Sequence, residues 1–210
     1  MVLKLSAMFG LLRSSRPEAP ARDGAASVSP AFATRLAQLD RDPYLSVADP
    51  DLRLISVFDD LTYDRADLDM LTGPMRRHAV AKLAQLGFRQ VSGSVIDNRA
   101  DDVRVLIPKI HALGASPFDA ARYLVRRPQD YVLLTPTQVA CQMIDTYPCE
   151  EAVDRIKVLI GKHPINLFKI MDHLEPKEAH RTFRDAIGHL KFVQRKAIEA
   201  EPLRRRRALR

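Results

Sequence analysis

"LGFRQVSGSVIDN", Leu86 to Asn98, begins 27 residues before "LGASPFDAARYLVRRPQDYVLL", Leu113 to Leu134, and the two open alike. Leu86-Gly87 and Leu113-Gly114 each follow an apolar run, Leu83-Ala84-Gln85 and Ile110-His111-Ala112. A glycine that can take the left-handed conformation at such a point closes a helix. At helical spacing, Val91, Val95 and Ile96 predict a second short helix over Arg89 to Asp97. Phe118, Ala121 and Leu124 predict one over Pro117 to Arg126, opened by a Ser116-x-x-Asp119 capping box. "VLIGKHPINLF", Val158 to Phe168, repeats the second half of the motif 36 residues beyond "RYLVRRPQDYV": a basic pair and a proline end a helix, and an apolar turn follows.

Helix pairs of this length have the size of a solenoid unit, in which no unit buries its apolar face alone and stacking makes the core. The expectation is therefore an all-α fold of short stacked helix pairs, α-solenoid-like, with its repeat-like part over 80–170. Outside that part, Ser29-Pro30 and Asp49-Pro50 each place a capping residue before a proline. The second predicts a helix to about Leu61 with Leu52, Ile55 and Phe58 on one face. Gly73-Pro74 opens a helix that Gly87 ends, and Thr135-x-x-Gln138 forms another capping box. Phe183, Ile187, Leu190, Val193 and Ala197 predict a long closing helix from Pro176 to about Ala200.

Composition agrees with a folded, mainly helical chain. Hydrophobic residues are 46% and charged residues 28% of the 210, enough for one helical domain over 28–200. Alternating runs bounded by glycine turns are scarce, which points away from an all-β fold. Cys141 and Cys149 have no CxxC spacing and read as two reduced thiols, with a disulfide as the alternative. No apolar run approaches the length of a membrane span. Residues 1–27 carry Lys4, Arg13, Arg16 and Arg22 among Leu3, Leu5, Met8 and Leu11. That pattern fits an organelle presequence, and equally the flexible start of a bacterial protein. The first places the chain in the mitochondrial matrix, the second in the bacterial cytoplasm.

The net charge of +7 is unevenly spread: −5 over 28–75, +6 over 76–127, −3 over 128–175 and +7 over 176–210. Arg204, Arg205, Arg206 and Arg207 form a run too dense in one sign to pack, so 201–210 reads as a disordered basic tail. Such a tail either meets phosphate or an acidic surface, or is simply solvated.

The turn, capping box, short helix and basic-basic-proline of residues 80–170 resemble the repeats of the mitochondrial transcription termination factor family. "LGASPFDAARYLVRRPQDYVLL" matches best, and "LGFRQVSGSVIDN" lacks the proline. The resemblance implies an arc of helical repeats that binds nucleic acid through a basic concave face.

Independently of it, Arg122 and Arg126 share a helix face at a spacing of four and Arg127 adjoins, so three guanidinium groups could converge on a phosphate backbone. The same residues also read as the favoured cations at a helix end. With Arg99, Arg104, Lys109 and the arginine tail they make up the expected nucleic-acid site, for DNA or RNA, dominated by backbone contacts because only 6% of residues are aromatic.

Signs of catalysis are lacking: there is no glycine-rich phosphate loop and no HExxH, and the acidic neighbours Asp59-Asp60, Asp101-Asp102 and Glu150-Glu151 diverge by about 100° on a helix. No catalytic residue, metal ligand or cofactor is expected. The functional expectation is a non-catalytic nucleic-acid binder. The alternative is a protein-interaction scaffold or adaptor whose acidic and basic segments meet partner proteins.

Overall fold

In the computed structural model, which describes residues 29–58, 71–108, 125–175 and 181–200, short strands and helices alternate along the chain. Helix α1 (Pro30–Leu36) runs into a 3₁₀ helix (Ala37–Arg41), then β1 (Leu45–Asp49), β2 (Leu54–Val57) and α2 (Gly73–Ala84). Strands β3 (Arg89–Ser92), β4 (Val95–Asn98), β5 (Val103–Leu106) and β6 (Tyr131–Leu134) follow. Helices α3 (Pro136–Thr146), α4 (Cys149–Lys162), α5 (Leu167–Leu174) and α6 (Arg181–Ala200) complete the described chain. The strands form one sheet in the order β1-β2-β6-β5-β4-β3. β6 lies parallel to β2 and β5, and the other pairings are antiparallel.

This architecture corrects the all-α, helical-repeat expectation. The stretch expected as a helix over Arg89 to Asp97 is a hairpin, with Gly93-Ser94 joining β3 to β4 and Gln90 opposite Ile96. Gly87 does take the left-handed conformation, at φ 88°, but it follows α2 and feeds a strand. The helix expected from Asp49 is a hairpin as well. Asp49 Oδ1 accepts from Leu52 N at 2.8 Å and Arg53 turns the chain at φ 53°.

The misreading has a physical cause. All four residues of β2 are buried, Leu54 toward one face of the sheet and Ile55 and Val57 toward the other. A strand covered on both faces carries no period-two alternation, so Leu52, Ile55 and Phe58 satisfy a helical spacing by accident.

Several helices do stand where their punctuation put them. Thr72 caps α2, accepting from Met75 N, and Thr135 and Gln138 exchange both bonds of a capping box at α3. Asn166 caps α5. Along α6, Phe183, Ile187, Leu190, Val193 and Ala197 all join one core. The helix expected over Pro117 to Arg126, the leader 1–27 and the tail 201–210 lie wholly or mainly outside the described residues.

Two cores flank the sheet. Leu54, Val132 and Leu134 meet α3, α4, α5 and α6. Ile55, Val57, Val105, Tyr131 and Leu133 meet α1, the 3₁₀ helix and α2 through Phe32, Leu39, Ala79 and Leu83. The result is a helix–sheet–helix sandwich, in which alternate residues of β6 serve opposite cores. The helices that the repeat reading stacked on one another are instead laid against a sheet. The two cysteines form no disulfide with each other: Cys141 is buried in α3 and Cys149 is half-buried at the start of α4. Among the described residues, no helix is long and apolar enough to cross a membrane.

Candidate functional site

The basic residues singled out from the sequence fall into three groups. Lys109, Arg122, Arg204, Arg205, Arg206 and Arg207 lie outside the described residues. Arg99 sits in the turn between β4 and β5, 90% exposed and 3.6 Å from Asp97. Arg104, Arg126 and Arg127 gather where β5 and β6 begin, around a carboxylate that sequence reasoning passed over.

That carboxylate is Asp130, whose side chain has no exposed surface. Arg104 donates to it from Nε and Nη2 across the sheet. Arg127 donates from its backbone N at 2.8 Å and from Nε at 3.1 Å. Burial pushes the Asp130 carboxyl up, but these donors outweigh it and hold the pKa at about 2. Arg127 also reaches Asp102 Oδ1 at 2.7 Å. The basic cluster is thus largely neutralised from within, as an electrostatic knot that ties the β4–β5 turn to the entry of β6.

Arg126 is held differently. It leaves the irregular segment before β6 and donates from Nη1 to the carbonyl of Leu52 at 3.0 Å. Crowding by surrounding protein and then the nearby Arg53 charge both work against its cationic form, with Asp130 giving partial relief. Arg53 itself lies over the Tyr131 ring at 5.8 Å. Sequence spacing could have suggested Asp130, since Arg127 precedes it by three. Its bond to Arg104, 26 residues away, depends on β5 pairing with β6.

His163 and His173 are tied into the frame too. His163, 1% exposed at the end of α4, donates from Nε2 to the Pro43 carbonyl at 3.2 Å. In the neutral ring its Nδ1 then accepts from Ser56 Oγ at 2.8 Å. Ser56 is fully buried, so this Ser–His pair joins β2 to α4 out of reach of substrate. His173 bonds Asp145 at 3.2 Å between α5 and α3. Asp49, buried at the end of β1, accepts from Tyr147 Oη at 3.2 Å and from Arg155 Nη1 at 3.0 Å. Arg155 also lies 4.1 Å over the Tyr147 ring. Burial first, then the Asp49 charge, pushes the Tyr147 hydroxyl up. Among the described residues, no group of three or more His, Cys, Asp or Glu side chains could hold a metal ion.

Two exposed features are apolar or backbone in character. β3 is an edge of the sheet, and each of its four residues is exposed, Val91 by 55%. An edge strand carries a row of N–H and C=O groups without a ladder partner. The bulge between Gln90 and Ser92 bends this one without covering it. Phe168 and Met171, one turn apart on α5, and Phe192 on α6 are also exposed. Comparison with protein-family models, with curated proteins and with solved structures finds no match to this chain.

Proposed function

We propose that the chain is a non-catalytic protein-interaction module that takes an extended segment of a partner protein as a seventh strand beside β3. The observation that carries this reading is the edge itself, which has no further strand beside it among the described residues: four consecutive exposed strand residues that include a half-exposed valine. Strand addition draws affinity from main-chain bonds and specificity from alternate side chains, so Val91 would be the apolar anchor. The edge is short, which suits a modest, reversible contact.

A second reading, nucleic-acid binding, keeps one supporting observation: Arg126 is bonded to a neutral carbonyl and neighbours the Arg53 cation. Arg104 and Arg127 support it less, because Asp130 and Asp102 already engage them.

Crosslinking mass spectrometry on the full chain in cell extract, comparing native protein with Val91→Pro, tests the first reading. Proline removes an amide hydrogen from the edge, so a partner crosslinked within 89–92 should be lost in the variant. A partner retained in full by Val91→Pro would refute it. Duplex or single-stranded binding that falls steeply with salt and depends on Arg126 would favour the second reading.

A further inference from the structure

Independently of the edge strand, a cleft of about 330 Å³ lies between the 3₁₀ helix and the C-terminal part of α2. That volume is at the small end of the range that takes small molecules. Leu86, with the exposed edge of Leu39, supplies a small apolar wall, while Arg41, Lys82 and Gln85 supply donors. Among the described residues, Asp42 is the one carboxylate in the lining, and three donors already engage it. His78 Nε2 lies 2.9 Å from Oδ1, Lys82 Nζ 2.9 Å from Oδ2, and Tyr44 N donates to Oδ1 at 2.9 Å.

The consequence is an excess of positive charge. Lys82 uses one of its ammonium protons on Asp42 and has others to give. Arg41 is exposed and, among the described residues, has no carboxylate within ion-pair distance. A planar guanidinium and an ammonium beside two leucines are the donor set for an anionic head on an apolar body.

The geometry points to this cleft as a binding site for a small organic anion, its phosphate or carboxylate held by Arg41 and Lys82 and its apolar part against Leu39 and Leu86. Asp42 serves as a positioning group that fixes Lys82 at the rim. No residue of β3 lines the cleft, so the two sites can be tested separately.

The test is an amide-resolved NMR titration of the isotopically labelled full chain with phenyl phosphate, and with phenol as the neutral counterpart, at constant ionic strength. Phenyl phosphate should give saturable shifts at Arg41, Lys82, Gln85 and Leu86, with phenol at least about tenfold weaker. Arg41→Gln should weaken phenyl phosphate about tenfold while leaving the spectrum of the free protein otherwise unchanged, because Arg41 is exposed. Leu86→Ser should weaken it through the apolar body alone. Shifts that do not saturate, that centre elsewhere, that phenol reproduces, or that survive Arg41→Gln would each overturn the assignment.

Discussion

Replacing Asp130 with Asn would separate the electrostatic knot from the packing around it. The carboxyl is held at about 2 against an ordinary 3.8. At about 1.4 kcal/mol per pH unit, that gap is worth about 2 kcal/mol to the folded state. The group is more acidic folded than unfolded, so its contribution is whole above about pH 5. It is lost as pH falls through 3.8 toward about 2. The substitution Asp130→Asn keeps the shape of the side chain but loses the charge and offers one oxygen where two were used. Arg104 and Arg127 are about one-third exposed and can turn to water. The cost should therefore stay near 2 kcal/mol, short of the roughly 3–5 kcal/mol that follows when one member of a wholly buried pair is removed. Urea unfolding of both proteins from pH 2 to pH 7 measures this. The variant should be less stable by about 2 kcal/mol at pH 7, and the difference should shrink to well under about 1 kcal/mol at pH 2. Equal stability at pH 7, or a difference that does not change with pH, would refute the reasoning.

Two further substitutions probe local energetics. Ser46 Oγ is buried and has no hydrogen-bond partner among the described residues, so Ser46→Ala should leave thermal stability unchanged or raise it by up to about 1 kcal/mol. A clear loss would reveal a bond the hydroxyl makes in solution. At Gly87, with φ 88°, a Cβ would come no closer than 3.7 Å to Asn98 Nδ2, so Gly87→Ala should cost only the left-handed backbone penalty, about 1–2 kcal/mol by denaturant unfolding. A loss under about 0.5 kcal/mol would show that the turn relaxes out of that conformation.

The helices are legible in the sequence where side chains close to them along the chain close their ends. Thr135 and Gln138 satisfy each other's backbone within one turn, and the apolar spacing of α6 from Phe183 to Ala197 needs no distant partner to be recognised. The strands are illegible for the opposite reason. "LISV" at β2 and "YVLL" at β6 are buried on both faces, and short apolar runs of that kind fit a helix or a strand equally. "VRVL" at β5 is nearly as buried, and the two acids before it, Asp101 and Asp102, form a turn where a helical reading makes them a solvated face. In the candidate site, the clustering of Arg126 and Arg127 is legible. The carboxylate that occupies Arg127, and the Arg104 that shares it, are not, because only strand pairing brings residues 26 apart into contact.

By itself, the sequence determined the cap residues, the glycine that follows α2, the apolar stripe of α6 and the density of basic charge near residue 126, because each is set within a turn or two of chain. Tertiary structure decided that short apolar segments lie flat in a sheet and that the arginines beside it are matched by Asp130. The reason is energetic: a two-faced apolar segment gains its burial and its backbone hydrogen bonds only from neighbours far along the chain.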